Sequence, residues 1–172
     1  MTYLEYVQRG MDLLASDPNA IFVGQAMQFK GHAISRQVNQ YPKEKLLEFP
    51  VAENMQAGFC LGLAIEGFMP ISCYPRCDFA ILACDQLVNH IDKWEQLTGQ
   101  VLPILTKILV GAKKPIDAGH QHTANHSEAF KHLCKYIEVL ELKTTEEVFP
   151  AYEKFLNEKR PLIIIEHTEL YS

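Results

Sequence analysis

The chain has 172 residues, of which 48% are hydrophobic and 22% charged, and a formal net charge of -5. This length suits one domain with a proper core, and the balance is that of a globular protein. An acidic chain without a basic run excludes nucleic acid as the expected partner, and the longest apolar stretch, Ala57 to Ile65, is far too short to span a bilayer.

Thr2 and Glu5 have the spacing of a capping box for a helix over about Tyr3 to Ala15, with Leu4, Val7, Met11 and Leu14 on one face and Asp17-Pro18 ending it. Ala20 to Gly24 reads as a buried strand. Gln25 to Lys45 is poorly patterned, a long loop with one short helix, and loops of that length inside a domain are often functional. Leu46 to Phe49 is a short strand ended by Pro50. A helix starts near Ala52, with Met55, Gly58, Phe59, Gly62, Leu63 and Ile65 close to helical spacing and Gly67 at its stop. Met69 to Tyr74 is a strand. Asp78 can cap a helix over about Phe79 to Leu97, with Ile81, Leu82, Val88, Ile91 and Trp94 as its core side. Pro103 to Val110 is another strand, followed by a polar loop to Asn125 that carries His120 and His122. A short helix over Ser127 to Cys134, a strand over Tyr136 to Leu140 and a second capping box, Thr144 with Glu147, come next. That box opens a helix to about Asn157, which Pro150 can kink or delay. Pro161 to Ile165 is the last strand.

The strands alternate with helices and are continuous apolar runs. That pattern predicts an α/β fold of three layers, a mainly parallel sheet with helices on both faces, whose ligands bind beyond the carboxyl ends of the strands. The start, MTYLEYVQRG, lacks a signal peptide's basic and apolar regions, so a cytoplasmic protein is expected. The cysteines, Cys60, Cys73, Cys77, Cys84 and Cys134, are odd in number and have no redox or zinc-knuckle spacing, so reduced thiols are expected.

Glu53 can be read in two ways. An acid in a first turn is favoured by the helix dipole. The residues around it also carry a resemblance. The chain carries Phe49-Pro50-Val51-Ala52-Glu53, then Gly58, Gly62 and Gly67-Phe68-Met69-Pro70, then Asp78-Phe79, Asp85-Gln86-Leu87-Val88-Asn89 and Lys93, and the closing RPLIIIEHTELY. Together they resemble the pyrimidine-binding domain of thiamine diphosphate-dependent enzymes, in particular the beta subunit of the 2-oxo acid dehydrogenase decarboxylating component and its transketolase-like kin.

The resemblance implies that Glu53 activates the aminopyrimidine of thiamine diphosphate and that the ring of Phe79 packs against it; the alternative for Phe79 is a plain core residue. It also implies an active-site histidine. Gln121-His122-Thr123 is the nearer match to the family's His-Ser-Gln element, with His120 as the other candidate and surface histidines as the alternative. His120, His122 and His126 crowd together, but not at a zinc spacing, and no metal is expected on this chain. Gln25 stands where the family often has an acid; an amide cannot exchange a proton as a carboxylate does, so any proton relay through that position is altered.

No Gly-Asp-Gly occurs in the sequence. The expectation is therefore a single pyrimidine-binding domain over residues 1–172, without the diphosphate-binding and C-terminal domains and inactive alone. Its partner would be a diphosphate-binding subunit carrying Gly-Asp-Gly…Asn and holding Mg²⁺, with a homodimer also possible. The Gly58/Gly62 face is a candidate for close helix approach, either to that partner or to this domain's own sheet. The alternative function is a non-catalytic binding or regulatory module that keeps the fold.

Overall fold

In the computed structural model, which describes residues 1–29, 32–113, 117 and 119–171, six strands form one all-parallel sheet. Numbered in chain order, they lie side by side as β2 (Leu46–Glu48), β1 (Ala20–Gly24), β3 (Met69–Tyr74), β4 (Leu105–Val110), β6 (Leu162–His167) and β5 (Glu138–Leu142). Register is set across the middle by Gly24 beside Cys73, Cys73 beside Lys107 and Lys107 beside Ile164. Every residue of β3 and β4 is buried, as parallel strands covered on both faces must be.

One face of the sheet is covered by α1 (Tyr3–Ala15), α2 (Ala33–Val38) and α7 (Thr145–Glu158), the other by α3 (Glu53–Ile65), α4 (Cys77–Ala80), α5 (Trp94–Thr98) and α6 (Ser127–Leu133). The three-layer architecture read from the sequence is the one observed. Both capping boxes form: Glu5 N donates to Thr2 Oγ1 at 3.2 Å, and Thr144 N donates to Glu147 Oε2 at 3.0 Å. Pro150 neither ends nor delays α7 and sits exposed within it. Helices α1 and α7 approach so closely that a Cβ on Gly10 would lie 2.5 Å from the Tyr152 ring.

Three expectations are corrected. The helix predicted over Phe79 to Leu97 is broken into α4, a 3₁₀ turn at Ile81–Ala83, a π segment at Asp85–Ile91 and α5. Asp78 does not cap it; Arg76 occupies the cap position without a side-chain bond. The break is stabilised from outside the helix. Asp92, buried just after the π segment, accepts backbone N–H bonds from Lys135, Tyr136 and Ile137 at 3.0, 2.8 and 2.7 Å. That clamp also corrects β5, which begins at Glu138 rather than Tyr136, because the preceding amides are already committed.

The third correction concerns α3. Its apolar residues at helical spacing are largely outward: Met55, Phe59 and Ile65 are exposed, while Glu53, Gln56, Ala57, Cys60, Leu61 and Ala64 are buried. Gln56 can be inside because its Nε2 donates to Ser72 Oγ at 3.0 Å and to Cys73 O at 3.2 Å. The two glycines do not act together. A Cβ on Gly58 would meet Gln86 Oε1 at 3.1 Å, within this domain, whereas one on Gly62 would meet nothing within 4 Å.

Candidate functional site

The C-terminal ends of β1, β2, β3 and β4 form the rim on which the chemically distinctive residues stand. Glu53 opens α3 and is only 3% exposed. Gln25, immediately after β1, donates from Nε2 to Glu53 Oε1 at 2.9 Å. Glu48, the last residue of β2, fixes the turn that carries Gln25 by accepting from Ala26 N at 2.7 Å and Gln28 N at 3.0 Å. The same turn holds Ala26 at φ 57°, a left-handed conformation uncommon for a residue with a Cβ. Tyr74, ending β3, donates its hydroxyl to the Glu53 carbonyl at 3.4 Å, so the start of α3 is tied to the neighbouring strand.

Phe79 lies in α4, half-buried, and meets the His122 ring edge-on with centroids 5.3 Å apart and planes at 81°. His122 is placed by its own loop: its N–H donates to Gly119 O at 3.0 Å, and its carbonyl presses on the end of β4, where a Cβ on Gly111 would lie 1.9 Å away. His120 is exposed in the same turn. The structure thus brings Phe79 and His122 together and pairs Glu53 with Gln25, while His120 has no such contact among the described residues.

Two residues on this rim were not singled out by sequence. His32 caps α2, its Nδ1 accepting from Ile34 N at 3.2 Å; burial, then the nearby Arg76 charge, lower its pKa, with Glu48 opposing them. Arg76 is half-buried between β3 and α4, and its stem lies against Gly111, 3.2 Å from a Cβ built there. The one sequence signal for Arg76 was a charge just past a strand end. The cysteines show no nucleophilic setting; burial pushes the Cys60 and Cys73 thiols up to about 12.

Behind the histidine loop, Glu141 of β5 fastens the loop's end to the sheet. It accepts from Asn125 Nδ2 at 2.7 Å and pairs with Lys143 at 3.0 Å and His167 at 3.1 Å. Burial pushes its pKa up, but hydrogen bonds from Asn125, Lys143 and Ser127 outweigh that and hold it at about 2, against an ordinary 4.5. A depressed folded-state pKa means that the contribution is complete above pH 4.5 and is lost as pH falls toward 2. Urea melts of the wild type and Glu141→Gln should therefore differ at neutral pH and converge as the solution is acidified through that window.

A parallel α/β domain with a buried carboxylate, an aromatic ring and a histidine at its strand ends is of the class that binds ligands across that rim. Sequence comparison then gives the family: the transketolase pyrimidine-binding domain matches residues 1–172, and the chain belongs to that family. Among curated proteins it is 25% identical to the mitochondrial pyruvate dehydrogenase E1 component subunit beta of Bos taurus, aligning over 100% of this chain and 49% of that one. It is 28% identical to the corresponding subunit of Mycoplasma genitalium, over 98% of this chain and 52% of that one. The chain spans about half the length of these relatives. Its fold is shared with a solved split gene transketolase described as an inactive beta4 tetramer, with a TM-score of 0.68 at 15% identity, covering 96% of this chain and 51% of that one. The family is the one to which the Pro50…Glu53 and Asp78-Phe79 motifs pointed. Among the described residues no helix is long and apolar enough to cross a membrane.

Proposed function

We propose that this chain is the pyrimidine-binding part of a thiamine diphosphate-dependent enzyme that acts on a 2-oxo acid or a ketose, and that it works only when joined to a diphosphate-binding surface. The observation that carries the reading is Glu53: a carboxylate at the start of α3, 3% exposed and hydrogen-bonded to Gln25. An acid that served only the helix dipole would gain a few tenths of a kcal/mol at the surface, and would not need the desolvation that burial imposes.

The residues present fit one end of the cofactor. A buried carboxyl group suits an aminopyrimidine, donating to a ring nitrogen when protonated and accepting from a ring N–H when ionised, and the partly accessible Phe79 ring suits the face or edge of a flat heterocycle. When bound, thiamine diphosphate supplies carbanion chemistry at the substrate carbonyl. The protein's part is positional and acid–base. Glu53 would hold and exchange a proton at the pyrimidine 1′ nitrogen. Gln25 would orient that carboxylate through its N–H, without taking part in the exchange. His122, set against Phe79, would be the histidine facing the substrate, with His120 the alternative.

The diphosphate and its Mg²⁺ fall to a partner surface carrying Gly-Asp-Gly…Asn. The outward side of α3 is the place proposed for that partner, because Val51, Met55 and Phe59 are exposed there and nothing lies over Gly62. Titration calorimetry tests the division of labour. The isolated chain should bind thiamine diphosphate with Mg²⁺ weakly or not at all, and addition of a Gly-Asp-Gly chain should create the site. Submicromolar binding by this chain alone would contradict the reading. Gln25 favours a second reading, a non-catalytic module that kept the fold; recombination with the partner and failure to turn over any 2-oxo acid or ketose, despite cofactor binding, would select it.

A further inference from the structure

We propose that Arg76 is the residue that grips the anionic group of the substrate, a carboxylate or a phosphate, at the centre of the strand-end rim. The proposal rests on the reading of this rim as a thiamine-dependent site. It starts from an unmet hydrogen-bonding requirement. The guanidinium is half-buried, and its Nε is buried with no protein partner. Nη1 is committed to the carbonyl of the adjacent Pro75 at 2.6 Å. What is left without a partner among the described residues is the Nε–Nη2 edge. That is the side of the fork that holds a carboxylate or phosphate by two parallel N–H bonds.

A buried donor left unpaired is costly, and native proteins rarely keep one without a reason. The nearest acid in sequence does not supply it. Asp78 raises the Arg76 pKa from a distance, but its Oδ2 is itself buried and unpartnered, and its Oδ1 faces His126 Nε2 at 3.9 Å. The other neighbours are not anions. His32 approaches from α2 with Nδ1 occupied by a backbone N–H, and Gly111 at the end of β4 lies against the Arg76 stem.

Placement completes the argument. A Cβ on Gly111 would meet both the His122 carbonyl, at 1.9 Å, and the Arg76 stem, at 3.2 Å, and the His122 ring meets Phe79. Arg76 therefore stands on the same side of Gly111 as the aromatic–histidine pair that the proposed cofactor would meet, and the Nε–Nη2 edge of its fork has no partner among the described residues. A 2-oxo acid carries a carboxylate of the right geometry for it, and a ketose would present a fitting anion only if phosphorylated.

The test uses the full chain labelled with ¹⁵N-arginine. The Nε–H resonance of Arg76 is assigned by its loss in Arg76→Lys and then followed during titration with pyruvate, with inorganic phosphate and with chloride at matched ionic strength. A saturable shift confined to Arg76, with Arg9, Arg36 and Arg160 unmoved, is expected. A stronger response to pyruvate assigns the fork to a carboxylate, and a stronger response to phosphate assigns it to a phosphorylated substrate. No saturable response to either anion overturns the proposal. In the complex recombined with its partner, Arg76→Gln should raise KM for the anionic substrate about ten- to a hundredfold, with kcat and cofactor affinity nearly unchanged. An unchanged KM with a lowered melting temperature would make Arg76 a structural residue and overturn the proposal. The two readings fail separately: failure of the recombined complex to bind thiamine diphosphate removes the thiamine reading, while the Arg76 resonance still reports whether the fork takes an anion.

Discussion

Glu53→Gln is expected to leave the fold in place and to lower turnover of the recombined enzyme by about 10²–10⁴-fold, the range for loss of a positioned acid–base group. The substitution is nearly isosteric, and the new amide oxygen can still accept the Gln25 N–H that now reaches Glu53 Oε1. The start of α3 also keeps its tie to β3, because Tyr74 bonds the Glu53 carbonyl rather than its side chain. What disappears is the group able to exchange a proton at that point. Steady-state turnover of a 2-oxo acid, read beside the thermal melt of the variant, separates the effects. Turnover close to wild type would remove Glu53 from the mechanism, and a large fall in melting temperature would show that its role is structural.

Lys107→Met is expected to cause the largest loss of stability, about 3–5 kcal/mol, because it breaks a buried ion pair from one side. Lys107, in the middle of β4, and Glu166, in β6, are both fully buried, with Nζ 2.5 Å from Oε2. Lys107 also donates to the Tyr152 hydroxyl at 2.7 Å, and the hydroxyls of Tyr152 and Tyr171 donate to the two Glu166 oxygens. Burial, followed by the Glu166 charge, raises both tyrosine pKa values well above the ordinary range, so both remain donors. Removing the lysine strands a carboxylate inside the sheet with only those two donors. Differential scanning calorimetry should show a melting temperature lower by roughly 6–20 °C for a chain of this size. Lys154→Met, at a surface lysine paired with Glu138 and Glu158, should leave the melting temperature nearly unchanged, because solvent screens such exposed pairs. If Lys107→Met melted like that control, the network would contribute little to stability.

Legibility in the sequence followed the range over which each interaction acts. The capping boxes at Thr2/Glu5 and Thr144/Glu147 were readable because both partners lie within one turn. β1 and β3 were readable to the residue because a strand buried on both faces is an apolar run with clear ends. The site was legible in part. Glu53 and Phe79 stood out through motifs with fixed local spacing, and the structure places each past the end of a strand. Arg76 did not stand out, since nothing in YPRCDF shows that Gly111, just past β4, will lie against its stem.

The sequence by itself determined the parallel α/β class, the order of the elements and the family, because those depend on periodicity, caps and short motifs. Only the tertiary structure decided which side of α3 faces inward. Apolar residues surround that helix almost completely, so its pattern carries no strong direction. Partners on β3 then admit the polar Gln56 and leave Met55 and Phe59 outside. Tertiary contact also decided that the helix after Phe79 breaks, since Asp92 is held by amides more than 40 residues away. It placed a lysine at the centre of β4 as well, because its countercharge and both hydroxyls come from elements that meet only when the sheet closes. A residue's tolerance for burial is set by what faces it, and in these three cases what faces it arrives from a distant part of the chain.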